Sequence, residues 1–233
     1  MWSGENPQAR WLFTSRRHVS GSSTGVYENF NIATHVGDEP HNVRCNREIL
    51  GAEFATQPEN IVWPELTHST TALEIVSADQ DIVPADILFT TNPHVALTTL
   101  SADCVPLIAI AHDQQFILTA HIGWRGAADN IASVITSIFE QKTNGNITIL
   151  LGPAICGDCY HVDPSRIHEV TRVLEASNES GRGLDLRQGL YHYFSDLGYS
   201  VNLIGPCTYE AENLFSYRRD QTTGRQAALV KLQ

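Results

Sequence analysis

Two histidines and a cysteine, His68, Cys104 and His121, carry the donor types that a catalytic metal ion uses. Imidazole nitrogen and thiolate sulfur both ligate zinc, and three protein donors leave a fourth position open for water or substrate, unlike a closed structural site. The three lie 36 and 17 residues apart, which matches no compact zinc-finger spacing, so a folded sheet would have to bring them together. Each sits at the edge of an apolar run or at a turn: Pro64-Glu65-Leu66-Thr67-His68, Ser101-Ala102-Asp103-Cys104 and Thr119-Ala120-His121-Ile122-Gly123-Trp124-Arg125-Gly126. On residue types alone the same trio also reads as ordinary core and turn side chains.

Three other patterns bear on chemistry. Cys156-Gly157-Asp158-Cys159 is a C-x-x-C, the spacing of a redox pair or of half a zinc site, and Cys207 in Pro206-Cys207-Thr208-Tyr209 is its one candidate partner. Buried or loop thiols are the plainer reading. Gly21-Ser22-Ser23-Thr24-Gly25 matches G-x-S-x-G, but a nucleophile elbow needs an apolar strand before it and a helix after it. Arg16-Arg17-His18-Val19-Ser20 precedes this stretch, so a flexible Ser/Gly loop is expected. Ten histidines raise the question of copper, yet the chain has no H-x-H pair and Met1 is its only methionine. Paired-imidazole and Met-capped copper sites therefore lack their donors.

The elements that would position these residues are mixed. Asp86–Thr90, Val95–Leu100, Cys104–Ile110 and Phe116–Ala120 are short apolar, β-branched runs parted by turn residues, and together they predict a mostly antiparallel or mixed sheet. Ala127, Ile131, Val134, Ile135, Ile138 and Phe139 recur at helical spacing, which predicts one amphipathic helix from Arg125 to about Gln141, ended by Asn144-Gly145. Ile147–Leu151 predicts a strand, and Asp163-Pro164 opens a helix to about Ala176. A helix over Asp185–Leu197, strands at Val201–Ile204 and Arg225–Val230, and an earlier helix within Asp38–Phe54 complete the reading. The fold class is α/β in the α+β sense: one domain over residues 1–233, without the strict alternation of a doubly wound sheet.

A chain of 233 residues with 42% hydrophobic content buries about 70% of its unfolded surface, so it needs no disulfide framework. Its net charge of −11 argues against a nucleic-acid or anionic-membrane binder, both of which rely on accumulated Lys and Arg. Tyr217-Arg218-Arg219 is the one local basic cluster. No secretory signal or membrane-length apolar run is visible, and five cysteines, an odd number, suit reduced thiols in the cytoplasm. The sequons at Asn146 and Asn178 are then chance matches.

The flanking residues carry a resemblance. Leu100-Ser101-Ala102-Asp103-Cys104-Val105-Pro106-Leu107, Ala120-His121-Ile122-Gly123-Trp124-Arg125-Gly126, Gly152-Pro153-Ala154-Ile155 with Cys159-Tyr160, Cys207-Thr208-Tyr209, Phe215-Ser216-Tyr217-Arg218-Arg219-Asp220 and Thr223-Gly224-Arg225-Gln226 occur in one order. Taken together they resemble the YfiH family, variously called laccase-domain protein, polyphenol oxidase, peptidoglycan editing factor and purine nucleoside phosphorylase. The resemblance runs from about Phe13 to Leu229. It implies a layered mixed-sheet core flanked by helices, similar to the catalytic domain of cytotoxic necrotizing factor. It also implies zinc on His68, Cys104 and His121, with copper the less favoured ion. The implied activity is phosphorolysis of adenosine, inosine and 5′-methylthioadenosine, with accompanying adenosine deamination. Three departures, at Arg17-His18-Val19-Ser20, Leu66-Thr67-His68-Ser69 and Thr91, lead us to expect a substrate preference of its own.

Within that resemblance the partners are purine nucleosides and phosphate, and the residues take roles. Phosphorolysis needs guanidinium clamps, for which Arg125, Arg218 and Arg219 are the candidates, with Arg16 or Arg17 behind them; a surface ion pair with Asp220 is the alternative for Arg218 and Arg219. Asp103 either moves a proton or fixes an imidazole tautomer by hydrogen bonding to His68 or His121. His35 is assigned to the pocket wall. Rival readings make Cys104 a thiolate nucleophile with His121 as its base in a cell-wall hydrolase, or make the protein a copper phenol oxidase.

Overall fold

The protein was analysed as a computed structural model that describes residues 1–81, 83–177 and 180–233. Asn178 and Glu179 of the second sequon lie outside the described residues.

Two mixed sheets stack face to face, each covered on its outer side by helices. The first contains β1 (Trp2–Glu5), β2 (Ala9–Phe13), β3 (Ile61–Val62), β6 (Ala96–Ser101) and β11 (Gln226–Leu232), in the order β1-β2-β11-β6-β3. The second contains β4 (Ala72–Glu74), β5 (Ile87–Thr90), β7 (Val105–Ala111), β8 (Ile117–Ile122), β9 (Ile147–Leu151) and β10 (Ser200–Leu203), in the order β10-β9-β7-β8-β5-β4. The stacking explains why the β7 run is apolar without alternation, since both of its faces are buried. Ile108 and Ile110 pack between the sheets with Phe13, Leu97 and Val230. Leu107 and Ala109 face the outer helices.

Those helices are α3 (Ile131–Lys142) and α5 (Leu186–Asp196), whose Ile135, Phe139 and Phe194 complete the outer core. On the other side α1 (Pro40–Glu53) lays Leu50 against Leu12, Leu100 and Leu229 of the first sheet. The layered architecture is the one expected. Among the described residues no helix is long and apolar enough to cross a membrane.

Four expectations need correction. The strand at Val95–Leu100 does not join its sequence neighbours: β6 pairs with β11 and β3 in the first sheet, and the chain changes sheets between β6 and β7. Turn signals locate strands but do not say which sheet receives them. The single helix over Arg125–Gln141 is two, α2 (Trp124–Ala128) and α3, because Asn130 adopts a left-handed conformation with φ of 63°. The helix opened by Pro164, α4 (Pro164–Thr171), stops five residues short of Ala176. The expected flexible Ser/Gly loop is also pinned, because the buried Ser23 hydroxyl donates to Asp38 at 2.6 Å and accepts from Asn46 at 3.0 Å.

Candidate metal centre and substrate cleft

The His-Cys-His trio assembles at one edge of the second sheet, where three strands end. In the β7–β8 register Pro106 lies opposite His121, so Cys104, just before β7, comes beside His121 at the end of β8. In the β5–β8 register Ile87 lies opposite Ala120, which puts Asp86 next to the same histidine. The ligand atoms of His68, Cys104 and His121 all lie within 4.8 Å of one another. The two imidazoles meet edge to face, with centroids 4.7 Å apart. Gly123 makes room for them, since a Cβ there would stand 3.0 Å from His68 and 3.1 Å from the Cys104 sulfur.

Asp86 organises the centre, and the sequence reading did not single it out. Its buried carboxylate accepts the backbone N–H groups of Thr67, His68 and Ser69 at 3.1, 3.0 and 2.8 Å. The hydroxyls of Thr67 and Ser69 add two more bonds, at 3.1 and 3.0 Å. Those contacts hold His68 in a left-handed turn, at φ of 60°. Oδ1, which also accepts the His68 N–H, faces His121 Nδ1 at 2.9 Å and leaves Nε2 as the nitrogen free to ligate. Asp103, read either as a proton carrier or as a bond to an imidazole, accepts the Thr208 hydroxyl and the Arg218 backbone N–H, both at 2.6 Å. The change of sheets turns its carboxylate toward these loops and away from His121.

The electrostatics follow the packing. Burial opposes a Cys104 thiolate, but the His121 and His68 imidazoles overcome it and bring the thiol down to about 6. Burial likewise opposes the His121 cation, which the Cys104 thiolate and Asp86 favour enough to raise it to about 9. Despite desolvation, His121 and the Ser69 donors hold Asp86 well below the usual carboxylate range. Two neutral-nitrogen donors, one thiolate, a carboxylate behind one histidine and an open front are a donor set that fits zinc.

That front opens on a cleft of about 260 Å³, whose wall carries His68, Asp103 and Cys104 together with Arg125, Arg166 and Arg218. Trp124, Tyr160 and Tyr217 line it as well, and the Arg125 and Arg166 guanidiniums lie over the Trp124 ring, 4.8 and 4.3 Å from its centroid. Arg218 is held by the His161 carbonyl at 3.0 Å, and the buried Nε of Arg166 has no hydrogen-bond partner among the described residues. A second cavity of about 390 Å³ reaches the same trio from the other side, lined by His35, Ser101 and Arg225. Burial and the two guanidiniums of Arg225 and Arg47 lower the His35 pKa, so its imidazole is neutral at pH 7.

Most expected site residues therefore converge: Asp103, Cys104, His121, His68, Arg125, Arg218 and His35 all border these two cavities. Arg219 does not. Its guanidinium is taken up by Asp220 at 2.9 Å and by the Thr208, Tyr209, Ala211 and Leu214 carbonyls. The expected phosphate ligand is a loop brace. Arg16 likewise pairs with Asp220, at 3.3 Å. Arg166, Tyr160 and Tyr217 were missed; an arginine on the outer turn of α4 carries no local motif, and only the docking of that helix over Trp124 brings it to the cleft.

Known proteins share this architecture. A purine nucleoside phosphorylase of Corynebacterium glutamicum is 36% identical over 237 residues, 97% of this chain and 96% of its own length. Another purine nucleoside phosphorylase, from Streptomyces coelicolor, is 33% identical over 234 residues, 96% of each chain. The crystal structure of YlmD from Geobacillus stearothermophilus superposes with a TM-score of 0.86 at 29% identity, covering 97% of this chain and 92% of that one. Residues 10–233 match a family pattern over the same span, and the chain thus belongs to the family described as multi-copper polyphenol oxidoreductase laccase.

Proposed function

We propose that this chain is a zinc-dependent purine nucleoside phosphorylase acting on adenosine, inosine and 5′-methylthioadenosine, with adenosine deamination as a second activity. The observation that carries this reading is the convergence of three guanidiniums, from Arg125, Arg166 and Arg218, on the cleft into which the His-Cys-His trio opens. A phosphate dianion is matched by forked guanidinium donors, and the unpartnered Arg166 Nε is a donor in want of such an acceptor. The aromatic faces of Trp124, Tyr160 and Tyr217 suit a purine.

His68, Cys104 and His121 would hold the zinc, which when bound supplies a Lewis-acid centre that polarises an oxygen of the reacting group. Asp86 fixes the His121 tautomer and the His68 turn, so both nitrogens are set before any ligand arrives. Asp103, by accepting the Arg218 N–H, holds the first turn of α6 (Tyr217–Asp220) against the cleft. The arginines then orient a phosphate oxygen toward the ribose C1′, and the purine leaves as the glycosidic bond breaks. Asp103 lines the cleft and is the carboxylate we assign to the proton transfer that deamination requires. The five thiols are unbridged, which suits a reducing cytoplasm.

Chromatography of products from adenosine, inosine and 5′-methylthioadenosine, with and without phosphate, tests the reading. Phosphate-dependent release of free base and ribose 1-phosphate, or 5-methylthioribose 1-phosphate from 5′-methylthioadenosine, is expected, with ammonia from adenosine alone; no release with any nucleoside sinks it.

One observation favours a second reading. Cys104 and His121 pair as thiolate and imidazolium, which is also the state of a cysteine nucleophile beside its base. Such a hydrolase would run metal-free and be inactivated by iodoacetamide at Cys104, whereas the phosphorylase loses zinc and activity together on Cys104→Ala. Copper oxidation of phenols is less well supported by the donors, because the two groups of three or more metal donors among the described residues contain only two histidines.

A further inference from the structure

A second trio of donors stands outside the cleft and takes no part in the mechanism above. Cys156 and Cys159 lie in the segment that follows β9, and Cys207 in the loop after β10. The first segment turns back on itself, as the Cys159 and Tyr160 N–H groups both donate to the Cys156 carbonyl, at 3.2 and 2.9 Å. Its start is joined to the second loop by a parallel bridge between Ala154 and Cys207. The three sulfurs consequently fall within 4.8 Å of one another. A tetrahedral zinc with Zn–S bonds of about 2.3 Å sets its sulfurs about 3.8 Å apart, so the trio needs to draw in by no more than about 1 Å.

Two further contacts point at a ligand. The Cys156 backbone N–H donates to the Cys207 sulfur at 3.3 Å, which fixes that sulfur against the C-x-x-C turn. A Glu210 carboxylate oxygen accepts from the Cys159 thiol at 3.8 Å; it stands outside the mutual 4.8 Å of the three sulfurs and would have to swing in to serve as a fourth ligand. A disulfide would use two of these thiols and leave the third, with the carboxylate, converging on nothing. Arg219 braces the Cys207 loop by donating to the Thr208, Tyr209 and Ala211 carbonyls.

We propose that Cys156, Cys159 and Cys207, with the Glu210 carboxylate as fourth ligand, form a second and purely structural metal site that takes zinc. Binding releases the three thiol protons and leaves sulfur oxidation states unchanged. C-x-x-C is a spacing structural zinc sites use, and thiolates select soft ions over magnesium or calcium. The ion would staple two loops that shape the cleft: one brings Ile155 and Tyr160 to its wall, and the other carries Thr208, which holds Asp103. The site is independent of whichever reaction the cleft performs.

Metal counting on the full chain tests it. Protein reconstituted with zinc and freed of excess by gel filtration is measured by plasma mass spectrometry, as wild type and as the Cys156→Ser/Cys159→Ser double variant. A loss of one zinc per chain in the variant is expected, and equal zinc in the two overturns the proposal. A second measurement guards against a variant that fails to fold. The Cys104→Ala chain, loaded with cobalt(II), has lost the only thiolate of the first trio and is expected still to show intense thiolate-to-cobalt absorption in the near ultraviolet from the cysteine trio. Absence of that band overturns the site, as does an intact mass short by two hydrogens in protein purified without reductant.

Discussion

The two donor trios are the same size and are built at different levels of the fold. His68, Cys104 and His121 meet because strand registers bring β5, β7 and β8 to a common edge, with a buried carboxylate bonding the turn that strands alone would leave loose. Cys156, Cys159 and Cys207 meet because two loops bridge at Ala154. Their electrostatics run in opposite directions. The imidazoles pull Cys104 down to about 6, whereas burial and neighbouring thiols push Cys156 and Cys159 up. Only the first trio opens on a cleft with guanidiniums and aromatic faces. Donor number marks a place for a metal; what surrounds the donors separates a place for chemistry from a place for structure.

Deleting the supports should expose this difference most strongly. Asp86→Ala removes a buried acceptor of three backbone N–H groups and one imidazole, and should cost about 3–5 kcal/mol of stability, as removal of one partner of a buried charged pair does. Cys207→Ser keeps a small polar side chain and should cost about 1 kcal/mol in metal-free protein. Urea unfolding of the two metal-free variants compares them directly. Equal losses would remove the claim that only the first trio is prebuilt. Asp86→Asn, which keeps the shape, should weaken zinc at the first centre by about 10–100-fold.

The arginines carry the contrast into function. Arg166→Ala and Arg218→Ala should each raise the KM for phosphate about 10–100-fold, the size of a lost charged hydrogen bond. Arg219→Ala should leave that KM alone and lower the unfolding midpoint instead, because its guanidinium braces the Cys207 loop. A raised KM for phosphate in Arg219→Ala would erase the division between cleft and brace.

Much of this was legible in the chain, and the failures share a cause. The apolar runs of β7 and β8 and the periodicity of α3 are local signals, and they placed those elements within a few residues. The histidine ligands and Cys104 were recognisable through the short motifs around them. Asp86 was not, because Ala85-Asp86-Ile87 is an ordinary lead into a strand and its role exists only through the pairing of β5 with β8. Arg166 was not singled out and Arg219 was left open between phosphate and Asp220 for the same reason: a guanidinium's partners are set by tertiary contacts, and adjacent Arg218 and Arg219 point to different ones. Asn130 split one expected helix in two because a single left-handed residue outweighs a continuous apolar stripe.

Thiol reactivity offers a third contrast, read as a pH profile in metal-free protein. A lowered thiol gains its nucleophilic form early, so alkylation of Cys104 should rise through pH 6 and level off by pH 7. Raised thiols lag, so alkylation of Cys156 and Cys159 should still be climbing at pH 9. At pH 6 the thiolate fractions differ by more than about 100-fold, and the weaker nucleophilicity of a low-pKa thiolate returns part of that, leaving Cys104 roughly 20-fold faster. Peptide mapping after brief iodoacetamide treatment measures each site. Coincident profiles would mean that the imidazoles do not set the Cys104 charge.

The smallest effect isolates geometry from charge. Gly123 precedes α2 with an ordinary φ of −93°, so alanine there strains no backbone. Its methyl group would nevertheless stand 3.0 Å from His68 and 3.1 Å from the Cys104 sulfur, which crowds the centre by a few tenths of an ångström without replacing a ligand. An overpacking cost of about 1 kcal/mol converts to a loss of zinc affinity of about 5-fold at this trio. The cysteine trio, outside that contact, should keep its metal unchanged. Competition with a coloured chelator resolves the two affinities in one titration. If both fall together, the trios are coupled through the loops that join them, and the separation between a centre built by strands and one built by turns would have to be given up.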